Sequence, residues 1–281
     1  MPLGVYADVR QYDTVDAGSP GKTNTNANSR ASLYPLSPYE RVVAATPGLS
    51  AWWPLGYVAK QLPSGSAYSF FTYGNAVGGG TLLAKGSGSD TLVPGIVPSS
   101  RAQAVKLAGG RYLATQDYRV WPMAAESMMS VEFWINFQTI GSDSALIGEW
   151  DNSGNGWMLY SSSGDLRIYC TSNNLTLSSA LVTGKTYHIV GVWGGSQPPT
   201  GDFVSRVYIN GVDVLDGNLV LAGALLPTTA SAHMQINAYG SSDGGGSGLH
   251  AFTMQHVAFY QRMLQSAEVM QHYQAGFARG E

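Results

Sequence analysis

The stretch "RVYINGVDVLDG", Arg206 to Gly217, alternates its large side chains and then meets Asn-Gly. In an extended chain Val207 and Ile209 face one side and Tyr208 the other. Asn210-Gly211 supplies the two positive φ angles of a type I′ turn, after which Val212 and Val214 resume the alternation. The segment therefore reads as a β-hairpin.

Working outward, the same texture recurs. "RYLATQ", "MSVEFWINF", "SALIGEW", "GWMLYSS", "DLRIYCTS", "TYHIVGVWG", "FVSRVYIN", "VDVLDG", "AHMQINAYG" and "HAFTMQHVAFY" are short runs separated by Gly, Ser, Asn and Asp. An antiparallel sandwich requires such a series. Between Gly56 and about Gly110 the pattern is loose, with "AVGGGTLL" and "AKGSGSD" expected as loops. A helix is expected in "LQSAEVMQHYQAGF", where Val269 and Tyr273 lie four apart and Gly276 suits a left-handed C′ position. In "PYERVV", Pro38 can open a short helix that Pro47-Gly48 ends. Residues 1–38 read as an extended arm, either a disordered leader or a segment that orders against a neighbouring subunit. Residues 39–281 read as one domain.

Composition narrows the function classes. Only 12% of the 281 residues are charged, against about 25% in ordinary domains, while Gly (35), Tyr (16) and Trp (7) are abundant. Such a surface is built from Ser, Thr, Asn and Gly. With a net charge of −3 and no basic run, the attraction that draws proteins to a phosphate backbone is missing, so no nucleic-acid partner is expected. No run of about 18 apolar residues calls for membrane insertion. The start "MPLGVYADVRQYD" has no secretory pattern. The lone Cys170, in "RIYCTS", reads as a packed strand position.

Catalytic signatures are weak. Glycoside hydrolysis needs two carboxylates about 5 to 9 Å apart. Glu132 is followed at alternate positions by Trp134 and Asn136, and Glu149 and Asp151 stand at a strand end where "NSGNG" turns the chain. His188, His233, His250, His256 and His272 lie in separate segments without a zinc spacing, and no G-x-S-x-G elbow positions a nucleophile. The expectation is a protein without enzymatic activity. "DNSGNG", Asp151 to Gly156, offers oxygens at 151, 152, 153 and 155 in the manner of a calcium loop, but it lacks the downstream bidentate Glu and reads better as a turn.

Four pieces in order, "MSVEFWINF", "GKTYHIVGVWGG", "RVYINGVDV" and "HVAFYQRMLQSAEVMQHYQAG", resemble the laminin-G-like, concanavalin-A-type jelly roll over about residues 40 to 278. The resemblance implies an all-β fold: an antiparallel two-sheet jelly-roll sandwich with one short C-terminal helix and an extended N-terminal arm. Two positions depart from the pattern. Met254-Gln255-His256-Val257 stands where related domains carry an acidic pair, which makes a calcium cofactor doubtful, and Gln265 replaces the Ser or Thr that would cap the helix, leaving Ser266 to cap instead. "SLYPLSPYERVVAATPGLSAWWPLG" is similar to the lead-in of such domains in minor tail proteins of tailed bacteriophages. That similarity implies a virion location, homo-oligomeric packing with other virion proteins, and contact with host-surface glycan. A carbohydrate-binding module of a bacterial surface protein, and a scaffold without ligand, stand as alternatives.

A sugar site requires an aromatic ring beside polar loops, because aromatic faces stack on pyranose C–H faces while amides and carboxylates orient the hydroxyls. Trp150, Trp157, Trp193 and Tyr239, with Asp151, Asn152, Asn155 and Asp243 in the adjoining loops, are the ligand-binding candidates. The alternative for each aromatic is that it closes an end of the core.

Overall fold

The computed structural model describes residues 36–278 apart from 57, 62–70, 74–81, 101, 116–127, 142, 152–154, 171–172, 198–201, 215–218, 222–232 and 241–249. The expected arm thus lies almost wholly outside the described residues. In chain order the elements begin with α1 (Pro38–Ala45), β1 (Leu49–Trp53), β2 (Val58–Gln61), β3 (Phe71–Tyr73), β4 (Leu82–Lys85), β5 (Ser89–Val93) and β6 (Ala104–Ala108). There follow β7 (Tyr112–Thr115), β8 (Met129–Thr139), β9 (Ser144–Trp150), β10 (Gly156–Ser162), β11 (Asp165–Cys170) and β12 (Asn173–Leu177). The last are β13 (Thr186–Gln197), β14 (Asp202–Ile209), β15 (Val212–Asp213), β16 (Leu219–Leu221), β17 (Met234–Ile236), β18 (Ala251–Tyr260) and α2 (Ser266–Phe277).

All ten expected strands form, and the looser stretch from 56 to 110 adds β2 to β6. The chain is an antiparallel two-sheet sandwich. The first sheet runs β15-β14-β13-β8-β18-β6-β5, with β1 also on β18 and β16 also on β14; the second runs β12-β11-β10-β9-β17-β7-β4-β3-β2. The opening hairpin has its two-residue turn, with Asn210 at φ 54° and Gly211 at φ 82°, and Ile209 opposite Val212.

Period-two alternation sorts each strand between two cores. In β8, Val131, Phe133, Ile135 and Phe137 enter the space between the sheets, where they meet Trp157, Leu159, Ile168, Trp193 and Phe259. The intervening Trp134 faces the other way and packs with Tyr39, Val190, Tyr208, Tyr260 and Val269 in a second core. That second core is the outer face of the first sheet, roofed by both helices. An alternating strand is ordinarily read as half solvated. Here both faces of the first sheet are buried.

The roof differs from the sequence expectation in two particulars, the cap and the end of α2. Both helices expected from the residues form, one more than the family resemblance implies. In α1, Ser37 Oγ accepts from the Glu40 N–H at 3.2 Å and Glu40 Oε2 accepts from the Ser37 N–H at 2.8 Å, a reciprocal cap that a proline at N1 completes. Ser266 does not cap α2. Its Oγ lies 3.0 Å from Tyr208 Oη, while Glu268 Oε2 takes the Gln265 N–H at 2.8 Å. Gly276 is no left-handed terminus either: it lies within α2, buried, and a Cβ there would stand 2.3 Å from Trp134 Cζ2. The absent side chain lets the helix seat on the Trp134 ring.

Gln255, at the position where an acid was expected, organises a loop with a neutral amide. Its Oε1 accepts from the N–H groups of Ile96 (2.8 Å) and Val97 (3.1 Å), and its Nε2 donates to Ala102 O at 3.0 Å. His256 beside it has φ 55° and marks a bulge, where β18 leaves its pairing with β6 and takes up β1.

Replacing Gly276 by Ala is expected to destabilise the domain by about 1–3 kcal/mol, the usual cost of forcing extra volume into a packed core. Urea denaturation monitored by tryptophan fluorescence checks this, and an unchanged midpoint would mean that α2 does not rest on Trp134.

Candidate functional site

The second sheet presents its own outer face, and among the described residues no helix lies on it. Alternation puts Trp157 and Leu159 of β10, and Leu166 and Ile168 of β11, into the inter-sheet core. Their neighbours Met158, Tyr160, Arg167 and Tyr169 therefore point outward. Tyr160 stands opposite Arg167 and Ala145, and Met158 opposite Tyr169 and Gly148. A Cβ on Gly148 would meet Met158 Cβ at 2.9 Å, so this glycine keeps the row low where β9 and β10 meet.

The outward rings form a continuous band. Trp150 meets Tyr169 at 5.5 Å between centroids, Tyr169 meets Tyr160 at 5.8 Å, and Tyr160 meets Tyr239 at 6.0 Å, each near-perpendicular. Trp150, Tyr169 and Tyr239 are half-buried, so each keeps part of its surface in solvent, while Tyr160 and Met158 beneath them are buried. Along the border of the band, beside Tyr160, Asp143 is exposed and accepts hydrogen bonds from Ser162 and from the Tyr160 hydroxyl, which hold its carboxyl below the ordinary value of 3.8. Burial, with Asp143 beside it, holds the Tyr160 hydroxyl well above its ordinary range, so it remains a donor. Arg167 donates to Tyr169.

Of the residues singled out in the sequence, Trp150 and Tyr239 join this band. Trp157 and Trp193 do not, and the reading of them as ligand contacts is corrected. Both are fully buried between the sheets, 5.3 Å apart. The room comes from Gly191, two residues before Trp193, where a Cβ would stand 2.5 Å from Trp193 Cη2. Trp193 Nε1 donates to Tyr169 O at 3.0 Å. Asp151 is buried and committed to its turn: Oδ1 accepts from the Asn155 N–H at 2.9 Å and Oδ2 from Asn155 Nδ2 at 3.1 Å. Asn152 and Asp243 lie outside the described residues, as does the side chain of Cys170. Among the described residues no group of three His, Cys, Asp or Glu is placed to hold a metal ion.

Sequence reasoning missed Tyr160, Tyr169, Arg167 and Asp143. It also missed a buried polar cluster that the topology assembles under the helices. Glu132, wholly buried, accepts on Oε1 from the hydroxyls of Tyr39 (3.1 Å) and Tyr260 (3.0 Å), while His272 Nδ1 lies 2.7 Å from Oε2. His188 Nε2 is 3.6 Å from the same oxygen, too long for a hydrogen bond. On its far side, His272 Nε2 lies 2.8 Å from Thr46 Oγ1.

Carboxylate, imidazole and hydroxyl in line resemble a nucleophilic relay, but the protons are wrong for one. Thr46 Oγ1 gives its one hydrogen to Val42 O at 2.8 Å, so it accepts from His272 Nε2. His272 Nδ1 must also donate, to Glu132. With the protons so placed the ring is an imidazolium, with no lone pair to take a proton from Thr46. The electrostatics agree. Burial lowers the pKa of His272, but the Glu132 charge and hydrogen bond outweigh it and raise it above 6.5. Burial likewise raises Glu132, yet the charge and hydrogen bond of His272, with His188 close by, bring it far below the carboxylate range. Burial keeps His188 and His256 neutral, His256 down to about 4.

The two antiparallel sheets and their strand order define a jelly-roll-type β-sandwich. A family model described as the concanavalin A-like lectin/glucanases superfamily matches residues 107–270, and the chain belongs to that superfamily. Among solved structures it is similar to the binding domain of Paraclostridial Mosquitocidal Protein 1, with a TM-score of 0.55 and 14% identity over 80% of this chain and 52% of that one. It is also similar to domain 4 of AbnA, a GH43 extracellular arabinanase from Geobacillus stearothermophilus, in complex with arabinotriose (0.53, 16%, 80% and 98%). Trypanosoma rangeli sialidase in complex with the inhibitor DANA scores 0.52 at 14%, over 81% of this chain and 33% of that one. The chain thus spans about half of the first structure, a third of the sialidase and nearly all of the arabinanase domain. No curated protein matches the sequence. At these identities the likeness is one of fold.

The ion pair sets a pH dependence. The raised pKa of His272 gives stability that is complete below 6.5 and is lost as pH rises through its folded value. The lowered values of His188 and His256 give stability that is present above 6.5 and declines as pH falls, for His256 down to about 4. From these groups, urea midpoints should peak near pH 6.5. Glu132→Gln should cost about 3 kcal/mol and abolish the alkaline decline; an alkaline limb that persists in the variant would show that His272 is not the group responsible.

Proposed function

We propose that this chain is a carbohydrate-binding jelly roll that acts by adhesion, without turning its ligand over. The observation that carries the reading is the aromatic band on the outer face of the second sheet, in which the half-buried Trp150, Tyr169 and Tyr239 surround the buried Tyr160, with the exposed Asp143 and the half-buried Arg167 at its border. Aromatic faces supply stacking for sugar C–H groups, and the carboxylate and guanidinium supply a fixed acceptor and donor for hydroxyls. The arabinanase domain of the same fold, held with arabinotriose, supports the reading by analogy. Absence of turnover is supported by the setting of Glu132: the acid with an adjacent imidazole is sealed from solvent, and the Glu132 charge raises the pKa of that imidazole, which favours its protonated form.

The finer assignment is a virion structural protein, a minor tail, fibre or decoration subunit packed with its own copies and with other virion proteins. It rests on the similarity of residues 32–56 to phage tail lead-ins and on the charge-poor, Gly-rich composition. On such a particle, weak single sites would gain strength from many copies.

A glycan array followed by calorimetry tests the reading. Wild-type protein should bind at least one oligosaccharide class, and Trp150→Ala or Tyr169→Ala should weaken it by about tenfold or more with the fold intact by circular dichroism. Silence across the array, or full affinity in both variants, would refute it.

A further inference from the structure

The charges at the border of this outer face bear on which sugars fit. Leu166 and Ile168 enter the core, so Asp165 and Arg167 of β11 share the outward face, two residues apart. Asp143 stands beside them at the foot of β9. Arg167 lies within electrostatic reach of both acids and donates to Tyr169. Asp165 Oδ1 accepts from the Ser179 N–H at 2.9 Å. The next described cation on this face is Lys85 of β4, five ladders from β11, about 24 Å at ordinary strand spacing and beyond a Debye length. Asn174 and Thr176, which complete the rows on β12, are uncharged. Beside Tyr160 two carboxylates therefore face one guanidinium.

Resting on the carbohydrate-binding reading, we infer that this face selects neutral, hydroxyl-rich oligosaccharides and rejects sialylated and uronate-bearing ones. A sugar hydroxyl can donate to Asp143, whose carboxylate has lone pairs beyond those used by Tyr160 and Ser162, and can accept from Arg167. A sugar carboxylate has no proton to donate and meets two like charges for one opposite. The depressed pKa of Asp143 keeps it ionised through mild acid, so the preference holds there too.

The test is calorimetry with neutral arabino-, xylo-, gluco- and galacto-oligosaccharides set against 3′-sialyllactose and oligogalacturonate, on wild type, Asp143→Asn and Trp150→Ala. The inference expects binding only among the neutral probes, with affinity nearly constant between low and high salt. It also expects about a tenfold loss in Asp143→Asn, the worth of one charge-assisted hydrogen bond, without change in thermal midpoint. Tighter binding of an acidic probe, or undiminished neutral binding in Asp143→Asn, overturns the inference but leaves the glycan face standing if Trp150→Ala is impaired. Neutral binding indifferent to Trp150→Ala, or no binding by any probe, overturns the face itself and the inference with it.

Discussion

One buried charge, the carboxylate of Glu132, organises half of the molecule. It sits mid-strand on β8 and takes hydrogen bonds from α1 through Tyr39, from β18 through Tyr260 and from α2 through His272. An ionised group without water is very costly unless paired and hydrogen-bonded. Both helices must therefore be docked for β8 to hold this residue. The same requirement explains the reciprocal cap at Ser37, which starts α1 in register, and the bare backbone of Gly276, which lets α2 close on Trp134.

The consequence for function is one of exclusion. With both helices on the first sheet, its outer face becomes a second hydrophobic core and offers no broad surface to a ligand. The second sheet has its outer face buried at Ala145, Met158 and Tyr160 but keeps Trp150, Tyr169, Arg167 and Tyr239 partly in solvent. Its alternation places Trp157 and Leu159 inward for stability, and Met158 and Tyr160 outward, so the same strand serves the core and the band. Tyr160 also joins the band to its polar edge, because its ring meets Tyr169 and Tyr239 while its hydroxyl donates to Asp143.

Much of the fold was legible in the sequence because period-two alternation and Gly-Asn punctuation are local signals. "SALIGEW" and "GWMLYSS" became β9 and β10 residue for residue. The roof was less legible: nothing local to Glu132 tells that a histidine 140 positions later will neutralise it. Trp157 and Trp193 were drawn to the ligand list by lying near loop ends, whereas the packing room at Gly191 is visible only in three dimensions. Tyr160, Arg167 and Tyr169 were recoverable in principle. In "GWMLYSS" and "DLRIYCTS" they alternate with Trp157, Leu159, Leu166 and Ile168, the mark of the opposite face.

The account turns on which face of the sandwich meets sugar. A crystal structure of the domain with a bound oligosaccharide tests that most directly. The account predicts a sugar ring against Trp150 and Tyr169, with a hydroxyl on Asp143. Density for the ligand in the groove between α1 and α2, or only at the loops that end the first sheet, would contradict it.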